Sequence, residues 1–109
     1  LRDGKLRAVF GSPGGSRIIT TVLQVFLNMA DFQMSMQDAV NWPRFHHQWK
    51  PDALRMEPGF SPHTIRLLGT RGHAIEPIHS IGEVSAIARE GEWLAGAADP
   101  RVDGKASGY

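Results

Sequence analysis

Two adjacent glycines, set between an alternating segment and a long apolar one, constrain this chain more than any other feature. The run is Gly11-Ser12-Pro13-Gly14-Gly15-Ser16-Arg17. Before it, Leu6, Ala8 and Phe10 alternate with Arg7 and Val9, which predicts a strand over residues 5–10. After it, Ile18, Ile19, Val22, Phe26 and Met29 recur at helical spacing on one broad face, with Ser16 read as the N-cap. Strand, glycine-rich turn and helix start make a chemically useful order. The first N–H groups of a helix have no internal partner, and the helix dipole leaves partial positive charge there. Glycine lets a ligand approach those groups with no Cβ in the way. The turn therefore suits negative charge, either a bound anion or an oxyanion developing in a transition state. It lacks the Gly-Lys-Ser/Thr ending of a P-loop and the third glycine of a dinucleotide fingerprint. A purely architectural strand-to-helix turn remains the competing reading.

The rest of the chain reads as one mixed unit. Asp3-Gly4 is a hairpin-turn signal preceded by only Leu1 and Arg2, so the strand at 5–10 is expected to lack its upstream partner. A short helix is predicted between Ser35 and Trp42, with Ser35 and Asp38 as a capping pair and Pro43 as its stop. Short strands are predicted at 44–49 and 54–57 around a Lys50-Pro51-Asp52 turn. Ser61-Pro62 opens another helix with Ile65, Leu67 and Leu68 on its apolar side, and Gly72 closes it. A strand at 73–78 and a hairpin of 83–88 with 92–97 around Glu90-Gly91 follow. The fold class is α+β with mostly antiparallel strands.

Composition narrows the function. Twelve Lys and Arg against eleven Asp and Glu leave a net charge of +1, with no run of like charge, so neither nucleic acid nor an anionic membrane is an expected partner. The absence of cysteine excludes disulfides, thiolate metal sites and a cysteine nucleophile. The apolar stretch 18–30 is interrupted by Thr20, Thr21, Gln24 and Asn28 and is too short and polar to span a bilayer. The chain opens on Leu1 rather than Met, and a larger precursor is expected.

Several blocks, taken together, resemble one family. Gly11 to Arg17 is similar to the Pro-Gly-Gly turn of the γ-glutamyltransferases, and Asn41-Trp42-Pro43-Arg44-Phe45-His46-His47-Gln48 to their Asn-x-Pro-Arg-Phe-His-His-Gln stretch. Gly59-Phe60-Ser61 and the ending from Asp99-Pro100-Arg101 to Gly108-Tyr109 also look like the family's C-terminal pattern, in family order. The resemblance implies the C-terminal part of an N-terminal-nucleophile hydrolase, an α-β-β-α sandwich, with residues 1–109 one unit of its catalytic domain. It implies a precursor that cleaves itself so that a Thr heads the small subunit. That Thr attacks a γ-glutamyl amide, and the acyl group passes to water or to an amine acceptor. Carried over, the N–H groups of Gly14 and Gly15 form the oxyanion hole, and Pro13 presets the turn. No cofactor is implied, and the compartment implied is periplasmic or extracellular. The partners implied are a γ-glutamyl small molecule and the upstream part of the same precursor, namely the large subunit and the start of the small one.

No segment here matches the family's nucleophilic Thr, its paired serines or its substrate-gripping residues, so the isolated chain is expected to be inactive. Thr20 and Thr21 sit in mid-helix and read as structural. An isolated chain with an unpaired strand edge is expected to self-associate or to alter its N-terminal arrangement. His46 and His47 point to opposite faces of a strand and read as packing and hydrogen-bonding residues rather than metal ligands. Trp42, Trp49 and Trp93 read as core or interface, and Arg44 and Arg101 as partners of acidic groups or as surface or capping arginines. The rival functions are a related acylase of the same superfamily, cephalosporin-acylase-like or poly-γ-glutamate-processing, and a non-catalytic interaction module.

Overall fold

The computed structural model describes residues 1 and 3–108; Arg2, before the predicted turn, and Tyr109, at the end of the family pattern, lie outside the described residues. The backbone clusters into two compact units, Leu1–Trp42 with Gly82–Tyr109, and Pro43–Ile81.

The first unit holds β1 (Ala8–Gly11), α1 (Arg17–Ala30), α2 (Met36–Asn41), β5 (Ser85–Glu90) and β6 (Trp93–Ala98). Its antiparallel sheet has the order β1-β5-β6, with Phe10 opposite Ala86 and Ala86 opposite Ala97. Small residues on this face, Ala86, Ala88 and Ala97, let Val25 of α1 and Met36, Ala39 and Val40 of α2 pack against the sheet. Asp3 (φ +51) and Gly4 (φ +73) make the expected turn, but the strand starts only at Ala8. Among the described residues β1 is an edge strand, paired with β5 alone.

Helix α1 corrects the sequence reading in two ways. Ser16 stands at the N-cap position in helical conformation and makes no side-chain capping bond to the helix. The buried residues are Thr21 and Val25, whereas the predicted face carries Ile19 at 74% and Phe26 at 52% exposure. Arg17, Thr20, Thr21, Gln24 and Asn28 share the polar side, and the helix packs through the border between the two sides, where Thr21 and Val25 lie, rather than through the centre of its apolar face. Helix α2 follows expectation: Ser35 Oγ accepts the Asp38 N–H at 3.1 Å. The β5–β6 loop is Gly91–Glu92, one residue later than expected, because Glu90 still pairs with Trp93.

The second unit holds β2 (Phe45–His46), β3 (Leu54–Met56), α3 (Pro62–Thr70) and β4 (Ile75–Pro77). β2 and β3 are antiparallel, but β3 and β4 are parallel, a pairing the sequence reading did not contain. The residues between β3 and β4, α3 included, supply the long crossover a parallel pair needs. Ser61 Oγ caps α3 by accepting the Thr64 N–H at 3.1 Å, Pro62 occupies the first turn, and Gly72 (φ +90) follows the last. No residue of α3 is buried, so its predicted apolar side covers no core among the described residues.

Candidate active site

β1 delivers the chain to Gly11, and α1 begins at Arg17. Between them Gly14 has φ +128 and Gly15 φ +60, so both glycines adopt conformations that L side chains rarely enter. Their carbonyls accept the first bonds of the helical turn, from the Arg17 N–H at 3.2 Å and the Ile18 N–H at 3.1 Å. The N–H groups of Gly14 and Gly15 donate to no partner among the described residues, and both residues are exposed. A solvated pair of donors at a helix start can stabilise negative charge presented from outside. Two hollows of the first unit, of about 920 and 740 Å³, are lined by neither Gly14 nor Gly15.

The other tempting residues divide clearly. His46 is buried with Nε2 2.9 Å from Gln48 Oε1. His47 is exposed, with Nε2 3.0 Å from Asp52 Oδ1 and Nδ1 accepting the Trp49 N–H at 3.1 Å. The two imidazoles therefore serve separate local networks, and no group of three His, Asp or Glu among the described residues could hold a metal ion. Trp42, Trp49 and Trp93 are all exposed, so of the two readings, core or interface, core does not hold. Each of the four threonines, 20, 21, 64 and 70, lies within a helix.

Arg44 is no surface arginine: it is 1% exposed, its N–H donates to Glu57 Oε2 at 2.8 Å and its guanidinium to the Ile81 carbonyl at 2.9 Å. Glu57, buried in turn, also accepts the Ile81 N–H through Oε1. Arg101 is a capping arginine, donating to the carbonyls of Val40 at 3.0 Å and Trp42 at 2.9 Å at the end of α2. Its guanidinium also meets Asp99 Oδ1 at 3.1 Å, while Asp99 Oδ2 accepts the Val84 N–H at 2.8 Å. The sequence reading assigned no role to Glu57 or Asp99. The available signal was that each is an acidic residue directly before a proline (Glu57-Pro58, Asp99-Pro100), where the extended backbone cannot continue a helix.

The sequence profile of the family Gamma-glutamyltranspeptidase matches residues 1–109. The chain belongs to this family. It is 50% identical over 112 residues to the glutathione hydrolase proenzyme of Escherichia coli, covering 100% of this chain and 19% of that protein. The γ-glutamyltranspeptidase of Pseudomonas nitroreducens, solved with L-DON, superposes with a TM-score of 0.91 at 34% identity, covering 100% of this chain and 58% of that one. A mutant of the Helicobacter pylori γ-glutamyltranspeptidase gives 0.89 at 43% identity, covering 94% and 57%. The chain thus spans about a fifth of the length of the Escherichia coli proenzyme and has the mixed α+β architecture of an N-terminal-nucleophile hydrolase of this family.

Proposed function

We propose that residues 1–109 are the C-terminal part of the catalytic domain of a γ-glutamyltransferase acting on glutathione-type donors, and that Gly14 and Gly15 supply its oxyanion hole. In the complete enzyme the Thr nucleophile comes from the upstream part of the same precursor. Its free amine takes the hydroxyl proton as the oxygen attacks the γ-glutamyl carbonyl carbon. The C=O electron pair moves onto oxygen, and that oxyanion accepts hydrogen bonds from the N–H groups of Gly14 and Gly15. The C–N bond then breaks with the proton passing to the leaving amine, leaving a Thr-linked γ-glutamyl ester for water or an amine acceptor to attack.

The observation that carries this reading is the pair of exposed N–H groups at Gly14 and Gly15, without a partner among the described residues and just before the start of α1. The turn lines neither hollow of the first unit, which agrees with a substrate pocket completed by residues beyond this chain. Identity of 50% to a glutathione hydrolase proenzyme favours a γ-glutamyl donor over another acyl group. The test is γ-glutamyl anilide hydrolysis by the full-length proenzyme carrying this sequence, before and after Gly14→Ala. Full activity in the substituted enzyme would remove Gly14 from the oxyanion hole.

A further inference from the structure

The Gly14–Gly15 turn is held from one side by the segment that leads into β5. The Glu83 N–H donates to Ser12 Oγ at 3.2 Å, and Ser12 Oγ lies 2.7 Å from the carbonyl oxygen of Pro13, which it reaches as donor. One hydroxyl thereby joins the residue before Gly14 to a segment 71 positions away. Gly82 makes this approach possible. A Cβ at Gly82 would stand 2.5 Å from Thr21 Oγ1, 2.9 Å from Thr21 Cγ2 and 3.0 Å from Ser12 Oγ, and Gly82 sits at φ +68. Thr21 cannot swing away easily, since it is 0% exposed within α1. Behind the contact the strands are in register, with Gly11 opposite Ser85. The turn is consequently fixed at its strand end by pairing, at its helix end by α1, and between them by Ser12.

We infer that Ser12 and Gly82 are positioning residues that aim the N–H groups of Gly14 and Gly15, an inference that rests on the oxyanion reading of those glycines. Neither residue touches the reacting atoms in this account. Their effect is indirect, through the placement of Pro13 and the two donors that follow. An oxyanion hole depends on donor position to a fraction of a hydrogen-bond length. A brace of this kind therefore shows in kcat before it shows in substrate binding.

The test uses the matured full-length enzyme carrying this sequence and compares Ser12→Ala, Ser12→Thr, Gly82→Ala, Gly14→Ala and Ser61→Ala. Ser12→Ala removes the acceptor for Glu83 N–H, whereas Ser12→Thr keeps a hydroxyl there. A misplacement of about 1 Å costs on the order of a hundredfold, so Ser12→Ala and Gly82→Ala are expected to lower kcat by about ten- to a hundredfold with little change in KM. Ser12→Thr should recover most of the loss. Ser61→Ala, which only uncaps α3, should lower the melting temperature and leave kcat alone. Unchanged kcat in Ser12→Ala and Gly82→Ala beside a crippled Gly14→Ala overturns the brace and leaves the oxyanion hole standing. A loss in Ser12→Ala that Ser12→Thr fails to restore also overturns it. Full kcat in Gly14→Ala takes Gly14 out of the oxyanion hole, and overturns the brace with it.

Discussion

Substituting the two turn glycines separates catalysis from architecture, because the structure sets a different cost for each. At Gly15 (φ +60) an added Cβ meets nothing within 4 Å. Alanine can hold that left-handed conformation at a cost of about 1–2 kcal/mol, with the backbone unmoved. At Gly14 (φ +128) the nearest atom to a new Cβ is Arg17 Cβ at 3.9 Å, so space is again available, but the backbone conformation is not one alanine adopts. Gly14→Ala must therefore rotate the chain and re-aim the N–H groups beside it. Losing one oxyanion donor costs about 10²–10³ in kcat, or roughly 2.7–4 kcal/mol of transition-state stabilisation. The fold itself loses less, on the order of 1–3 kcal/mol for a backbone forced into a sparse region. The expected signature in the full-length matured enzyme is a large fall in kcat, a smaller change in KM, and a melting temperature lowered by a few degrees (about 2–4 °C per kcal/mol for a domain of 150–250 residues). Gly14→Ala should be the worse of the two; Gly15→Ala acts mainly through a methyl group standing where substrate approaches. Steady-state kinetics with a γ-glutamyl anilide, on protein whose folding is verified by thermal denaturation, reads both quantities. Near-normal kcat in both variants, whatever their melting temperatures, would refute the assignment and reduce the turn to a connection.

Further outcomes follow from other parts of the molecule. Asp99→Ala strips the carboxylate from the Val84 N–H and the Arg101 guanidinium, and breaking a buried pair costs about 3–5 kcal/mol, measurable by urea denaturation. A loss below about 1 kcal/mol would show that the pair is incidental. The 109-residue chain alone should not turn over γ-glutamyl anilides, since each of its threonines lies inside a helix; turnover abolished by mutating one of its own residues would contradict this. The chain alone should also self-associate through β1, whose far side is unpaired among the described residues and whose Val9 is exposed. Val9→Lys should then shift sedimentation toward monomer, and a wild-type chain that is monomeric throughout would argue against the edge.

Local chemistry made much of the candidate site legible. The glycine pair, the capping serines at 35 and 61 and the stop at Pro43 each act through their own backbone or a neighbour three residues away, so their signals survive in one dimension. The same holds for the hairpin of β5 and β6, misplaced by a single residue because Glu90 and Trp93 extend the ladder. What failed was the judgement of which side of α1 meets the sheet. Ile19 and Phe26 share a helical face with Val22, yet that face is largely exposed, while Thr21 lies buried beside Gly82. For Arg44 the reading left a surface position and an acidic partner elsewhere in the enzyme open; it is buried, with its backbone N–H on Glu57 and its guanidinium on the carbonyl of Ile81 inside its own unit.

Sequence alone determined that a strand would break at Gly11-Ser12-Pro13-Gly14-Gly15 and release a helix, since a proline and two glycines interrupt the alternation and glycine readily enters the positive φ that the turn adopts at Gly14 and Gly15. It also carried the family, through blocks whose order no single turn could imitate. Only the tertiary structure decided that β3 and β4 run parallel across α3, and that Asp99 and Arg101 close the end of α2. Nor could it be read from the chain that Ser12 is tied to Glu83 across 71 positions. Propensities and caps are set by neighbours in the chain, whereas strand partnership, burial of a charge and the bracing of a turn depend on residues that become neighbours only after the chain has folded.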